Sequence, residues 1–408
     1  MVIKYETCSF SDYKIAPGHG LKYAEVNGKT HMFINKKGDT FMEAAKVYFT
    51  DFHTTFRENQ VQKLARLILT AGIDQIDFKD KFVAIKLHFG EPGNLAYLRP
   101  NYARVLVNII KDLGGKPFLV DCNTLYIGGR KNGLDHLEAA YQNGFNPYNT
   151  GCHVVIGDGI KGTDDVEVPV DGAYVTRAKI GKAVMDADIV VSLSHFKLHE
   201  EAGIGGALKN IGMGCGSRAG KMEMHHGGKP QVEQRLCIGC RQCAHICAHD
   251  APQFENHKAH IDLERCVGCG RCISVCPVDA IQPIQKESNN VLNYKIAEYT
   301  KAVVQGRPHF HVTLVKDVSP YCDCHSENDV PIIPDVGMFA SFDPVALDMA
   351  CAEALNAQRP EKNSMLGMAA EQLEDHVKTV HPTTNWRSML EHGEKIGLGT
   401  MRYELVRI

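Results

Sequence analysis

The chain has 408 residues, too many for one small redox module and enough for two or three domains with at least one sizeable core. An apolar fraction of 44%, a charged fraction of 23% and a net charge of −3 describe a globular protein with no general attraction to DNA or to a membrane. No run of about 18 apolar residues is present, and the opening MVIKYETCSF lacks the apolar core of a secretory leader, so the expected compartment is the cytoplasm.

Residues 1–45 read as a small β module. KYAEV and THMFIN flank Asn27-Gly28, a hairpin signal, and Lys36-Lys37-Gly38-Asp39 marks a second turn. From Lys46 the rhythm changes. KVYFTDF reads as a strand, and NQVQKLARLILTAGI as an amphipathic helix with Val61, Leu64, Leu67 and Ile68 on one face. FVAIKLHF and KPFLVD are apolar strands around the helix YARVLVNIIKDLGG, which ends at glycine. A helix around GLDHLEAAYQNG, then CHVVIGDG, AKIGKAVMDA and DIVVSLSHF, continue the alternation over residues 46–230. It resumes over 289–408 with the helix VLNYKIAEYTKAVV, the strand HFHVTLVKDV and the helix PVALDMACAEAL. The stretch after about 356 reads as further helices. Nearly all-apolar strands separated by helices predict an α/β fold with a mainly parallel sheet flanked by helices.

Residues 231–288 interrupt this pattern. They hold eight of the fifteen cysteines, in two copies of C-x2-C-x2-C-x3-C. This is the spacing of a ferredoxin with two 4Fe–4S clusters, in which the fourth cysteine of each copy ligates the other cluster. Cys237, Cys240, Cys243 and Cys276 are thereby assigned to one cluster, and Cys266, Cys269, Cys272 and Cys247 to the other. Ala248 stands where the second copy has Pro277, which is not a ligand position. The competing reading is a pair of zinc sites, which need four ligands each and no C-x2-C-x2-C triplet. Clustered C-x2-C spacing points to reduced, metal-bound thiols and an anaerobic or microaerophilic setting.

Ligands collect beyond the carboxyl ends of parallel strands, and polar groups fall at such places. His88 and Glu91 follow FVAIKLHF, Asp121 ends KPFLVD, and His195 ends DIVVSLSHF with His199 four residues on. If helical, the last two would share a face and could hold a metal; the alternative is hydrogen-bonded structural histidines. In GIGGALKNIG, Gly205 and Gly206 precede Lys209 and Asn210, a turn that could offer backbone N–H groups to an anion at a helix start. Cys322, Cys324 and His325 are soft ligands close together, or a tight turn with inert thiols. Asp343, before Pro344, is placed to cap a helix.

Over about residues 46–355 the chain resembles the Fe–S centre proteins of domain-of-unknown-function family 362. The stretches that carry the likeness are KVYFTD, FVAIKLHFGEPGNLAYLRPNY, DCNTLY, HFKLHEEAGIGGALKNIGMGCGSRAGK, SPYCDCHSENDVPIIPD and DPVALD. The resemblance implies an α/β domain with an inserted α+β dicluster ferredoxin domain; it implies no substrate. Residues 3–41 are similar to the start of the L-twenty-four-e family of large-subunit ribosomal proteins, through CSFS, YKI, PGHG and NGK. Of the four zinc ligands of that family's archaeal members only Cys8 remains, with Ser11, Ile34 and Gly38 at the other positions.

The expected function is electron transfer by two 4Fe–4S clusters between a redox partner protein and a redox or metal site in the α/β domain. An additional metal or organic cofactor is expected to involve His88, Glu91, Asp121, His195, His199, Lys209, Cys322, Cys324 and His325. Two alternatives stay open: a protein docked on the large ribosomal subunit through its first 45 residues, and a maturation factor for another enzyme. Neither a membrane nor DNA is an expected partner.

Overall fold

The structure is a computed structural model that describes residues 44–125, 128–226, 229–284, 289–369, 371 and 373–408, and the backbone of four short strands before them. Of those four, Met32–Ile34 pairs antiparallel with Thr40–Met42; the expected Lys36–Asp39 turn lies outside the described residues. The Asn27-Gly28 hairpin lies outside the described residues.

One eight-stranded sheet organises the chain: β1 Ala45–Thr50, β2 Phe82–Lys86, β3 Lys116–Asp121, β4 Val154–Ile156, β5 Ile189–His195, β6 His309–Val315, β7 Gly337–Ser341 and β8 Tyr403–Arg407. Their spatial order is β8-β1-β7-β6-β5-β2-β3-β4. Every pairing is parallel except the two that β7 makes, with β6 and β1. The sheet is thus mostly parallel, as the apolar strands predict.

Strand alternation sorts side chains onto two faces. Val83, Ile85, Leu119, Val191, Leu193, Phe310 and Val312 pack under helices α1 (Gln60–Thr70) and α2 (Pro100–Asp112). Ala84, Val120 and Val190 face the other way, toward α3 (Ala207–Cys215), α4 (Asn289–Val304) and α5 (Pro344–Asn356). Helix α1 starts on a capping box: Asn59 accepts the Gln62 N–H at 3.0 Å, and the Gln62 side chain accepts the Asn59 N–H at 2.9 Å. Leu64, Leu67 and Ile68 are buried as the periodicity predicts, but Val61 lies at the edge of the stripe and is exposed. Asp343 caps α5, accepting the N–H groups of Val345 and Ala346 at 2.9 Å.

The cysteine-rich segment leaves the α/β layers and has a core of its own. Pro230–Val232 pairs with Ile281–Pro283, and Pro252–Glu255 with Lys258–Ile261. Short helices Gln242–Ile246 and Arg271–Ser274 each begin within a cysteine motif. Gly239, inside the first motif, has φ +68°, and a Cβ there would lie 2.1 Å from the His257 carbonyl, so the loop needs glycine. The carboxyl-terminal stretch departs from the all-helical expectation. It ends in β8, which pairs with β1 at the sheet edge.

Candidate functional site

Strand order locates the site. From β2 the chain moves outward to β3 and β4, whereas from β5, on the other side of β2, it moves to β6. Crossovers therefore diverge between β2 and β5, and a crevice opens at their carboxyl ends. A cleft of about 730 Å³ lies there, lined by His88, Asp121, His195, His199, Gly205, Gly206, Lys209, Asn210, Cys322 and Cys324, and by Lys86, Arg130, Lys197 and Lys221. Two of the expected site residues stand outside that lining: Glu91 behind Arg130, and His325 beside Glu200.

The floor of the cleft is a buried charge network. Lys86 Nζ lies 3.0 Å from Asp121 Oδ1 and donates to Asn210 Oδ1 at 2.9 Å. Arg130 Nε donates to Glu91 at 2.7 Å, and its Nη1 is 3.7 Å from Asp121. Burial opposes ionisation of Asp121, but Lys86 and His136 hold its carboxyl well below the usual range. Burial and the Arg130 charge push His88 well below the usual histidine range, so it stays neutral.

His195 and His199 do not share a helix face. His195 ends β5, and His199 lies in the following strand Lys197–His199 of a tight hairpin. Both nitrogens of His195 are engaged, Nδ1 3.0 Å from Asp323 and Nε2 2.7 Å from the Lys316 carbonyl. A metal bridging the two histidines is thereby replaced by an anchor that positions the Cys322–Cys324 turn. Lys197 adds a third bond to Asp323 at 3.1 Å.

His199, Cys322 and Cys324 come together, each with a donor atom within 4.8 Å of the others. His325, expected in this group, instead bonds Glu200 at 2.7 Å, and Glu200 raises its pKa. Lys209 Nζ lies 3.4 Å from Cys322 Sγ. The hydrogen bond to Cys324 together with burial pushes Cys322 up to about 12, whereas the bond from Cys322 and the Lys209 charge lower Cys324. Burial alone would lower Lys209, but the sulfurs raise it above its ordinary value, so it remains a cation.

The glycine turn does not offer its helix start to a ligand. The N–H groups of Ala207 and Leu208 donate to Asp348 of α5 at 2.6 and 2.9 Å. Gly206 is needed because a Cβ would lie 2.3 Å from that carboxylate. Positive charge in the cleft therefore comes from lysine and arginine side chains. Lys86, Arg130, Lys197 and Asp323 were not among the expected residues. A lysine inside the apolar strand FVAIKLHF and an aspartate between two cysteines were the available signals.

The eight motif cysteines line two further cavities. One gathers Cys237, Cys240, Cys243 and Cys276 with Ile238, Phe254 and Val278; the other gathers Cys247, Cys266, Cys269 and Cys272 with Ile261 and Val267. Leu125 belongs both to the core of this segment and to the wall of the cleft.

The model for Ribosomal protein L24e matches residues 3–51. The large ribosomal subunit protein eL24 of Schistosoma japonicum is 46% identical over 37 residues, 9% of this chain and 24% of that one. Its counterpart in Branchiostoma belcheri is 49% identical over 35 residues, 9% and 23% of the respective chains. The chain thus spans about a quarter of the length of these curated relatives. Among solved structures, the lactate racemase apoprotein from Thermoanaerobacterium thermosaccharolyticum matches with TM-score 0.34 and 12% identity, over 68% of this chain and 54% of that one. A protein from Thermotoga maritima matches with TM-score 0.38 and 12% identity, over 75% and 60%. Likenesses this distant say nothing of activity. The model described as Domain of unknown function (DUF362) matches residues 83–353, most of the sheet and the whole cleft. On that match, covering more than half of its length, the chain belongs to the DUF362 family.

Proposed function

We propose that this chain is an iron–sulfur electron-transfer protein, its segment 231–288 a two-cluster ferredoxin domain inserted between the 46–230 and 289–408 parts of the α/β domain. The observation that carries the reading is the crossed grouping of cysteines. Each cavity takes three cysteines from one motif and the fourth from the other, the ligand exchange of a two-cluster ferredoxin. When bound, 4Fe–4S clusters supply one-electron transfer at low potential.

The chain's residues fit that group. Ala259 N–H donates to Cys237 Sγ at 3.4 Å and Ala280 N–H to Cys276 Sγ at 3.2 Å, contacts that tune a thiolate ligand. Ile238, Phe254 and Val278 limit water at one cavity. Ile238 and Val267 are exposed at the two cysteine loops and offer a redox partner protein an apolar rim. On the inner side, Leu125 separates the cysteine unit from the cleft, where a redox or metal site would receive the electrons. Protein purified without oxygen should contain about eight iron and eight sulfide per chain, with EPR signals of reduced cubanes. Zinc in place of iron, with no sulfide, would refute the reading.

The ribosomal likeness favours a second reading, in which residues 1–45 dock the chain on the large ribosomal subunit. It predicts co-sedimentation with large subunits that is lost when residues 1–45 are removed. Free migration of the intact chain in a ribosome gradient would exclude it. Among the described residues no helix is long and apolar enough to cross a membrane.

A further inference from the structure

We infer that Cys322 and Cys324 form a redox-active dithiol, closed to a disulfide in its oxidised state, that exchanges two electrons with the two clusters, one with each. This deepens the electron-transfer reading and rests on it for the electron carriers.

The first argument concerns His199. A metal held by His199, Cys322 and Cys324 needs a free lone pair on the imidazole. His199 Nδ1 accepts the N–H groups of Glu201 and Ala202, both at 3.1 Å, so its lone pair is in use. In the neutral ring the proton then sits on Nε2. Metal-bound histidines have the opposite arrangement, with the non-ligating nitrogen donating its N–H outward. The other ring nitrogen of His199 thus carries a proton rather than a ligand lone pair, with Glu200 Oε1 3.7 Å from it, and Lys209, 3.4 Å from Cys322 Sγ, offers a cation. The bond from Cys322 and the Lys209 charge favour the Cys324 thiolate, the reactive form of cysteine.

The second argument is accounting. A dithiol yields two electrons, whereas each cubane takes one, and the two four-cysteine cavities provide for two such carriers. The third is position. The sulfurs line the cleft that shares Leu125 with the cysteine unit. The Arg130 charge acts on Cys324, and the adjacent Lys131 pairs with Asp279, three residues past Cys276. Cys324 is half-buried and Cys322 buried, so Cys324 is the sulfur that an incoming partner reaches.

In the reducing direction two electrons, which two reduced clusters would supply one each, break the Cys322–Cys324 bond. Cys324 is left as thiolate beside the Lys209 cation, and Cys322 takes one proton from solvent. Oxidation reverses each transfer.

The test uses the full cluster-loaded chain, poised anaerobically at a series of potentials with dithionite and ferricyanide, then alkylated with iodoacetamide and mapped by mass spectrometry. The peptide carrying Cys322 and Cys324 should switch, as one two-electron step, between both sulfurs alkylated and both joined. Lys209→Met should shift the midpoint of that step, and Cys324→Ser should abolish it while the cluster EPR signals persist, which controls for folding. Both thiols alkylated at every potential would overturn the proposal. So would a stoichiometric non-iron metal lost on Cys324→Ser. A dithiol that titrates with dithiothreitol in a chain free of iron and sulfide would refute the cluster reading and the exchange with it, so the two failures are distinguishable.

Discussion

Asp348 shows how one residue changes the meaning of a motif. It is fully buried on α5, and its two oxygens fill the start of α3 that the glycine turn leaves open. Burial pushes its pKa from 3.8 up to about 7, against the two N–H donors that favour the anion. The folded protein therefore holds this proton more tightly than the unfolded chain. Its contribution to stability is full below the unfolded value and lost as pH rises through about 7. Asp343, raised to about 6 mainly by burial, acts in the same sense. Asp348→Asn should flatten the fall in melting temperature across this window. Asp348→Ala, which leaves two helix N–H groups bare, should cost about 1–2 kcal/mol. Thermal melts from pH 4 to 8 decide this, and an unchanged slope in the Asn variant would count against it. The sequence shows Gly205-Gly206 before a helix, but not that a carboxylate 141 residues away occupies the helix start.

Elements with strong local patterns were legible: α1 from its apolar period, β2, β3 and β5 from their nearly unbroken apolar runs, and Asp343 from its place before Pro344. β8 was not, because YELVR is short, largely exposed and sits at the sheet edge, where burial leaves little mark on composition. Its role is nonetheless concrete, since it covers the backbone edge of β1 over five residue pairs. Removal of residues 403–408 should lower the melting temperature by at least a few degrees and promote concentration-dependent aggregation through the bared edge. Calorimetry and light scattering on the truncated chain measure both; an unchanged melt would show the edge strand to be dispensable. The candidate cleft was legible as a set of strand-end residues. Its partners were not, because His199 meets Cys322 and Cys324 across more than a hundred residues, and adjacency in sequence favoured His325 instead.

At the scale of the whole molecule, the α/β layers and the cysteine-rich unit rest on different chemistry. The main sheet is sealed by aliphatic and aromatic side chains on both faces. The core of the unit is small, and Cys237, Cys243, Cys272 and Cys276 are a large part of it. If these thiolates hold clusters, removal of iron withdraws the centre of that core. Hydrogen exchange should then show lost protection over residues 230–283 with β2, β5 and β6 still protected. Loss of protection in both regions together would mean that they fold as one.

The short ladder between Pro230–Val232 and Ile281–Pro283 has a consequence for how such a chain is assembled. Pro230 lies directly opposite Pro283, so the unit departs from its host and returns at a single point. A loop with adjacent ends is a detachable module: it can be exchanged for a short turn, or for another small domain, without re-threading any strand of the sheet. The α/β scaffold and its cleft thus form a chassis that carries the cysteine-rich unit as an attachment, with the two prolines marking the seam.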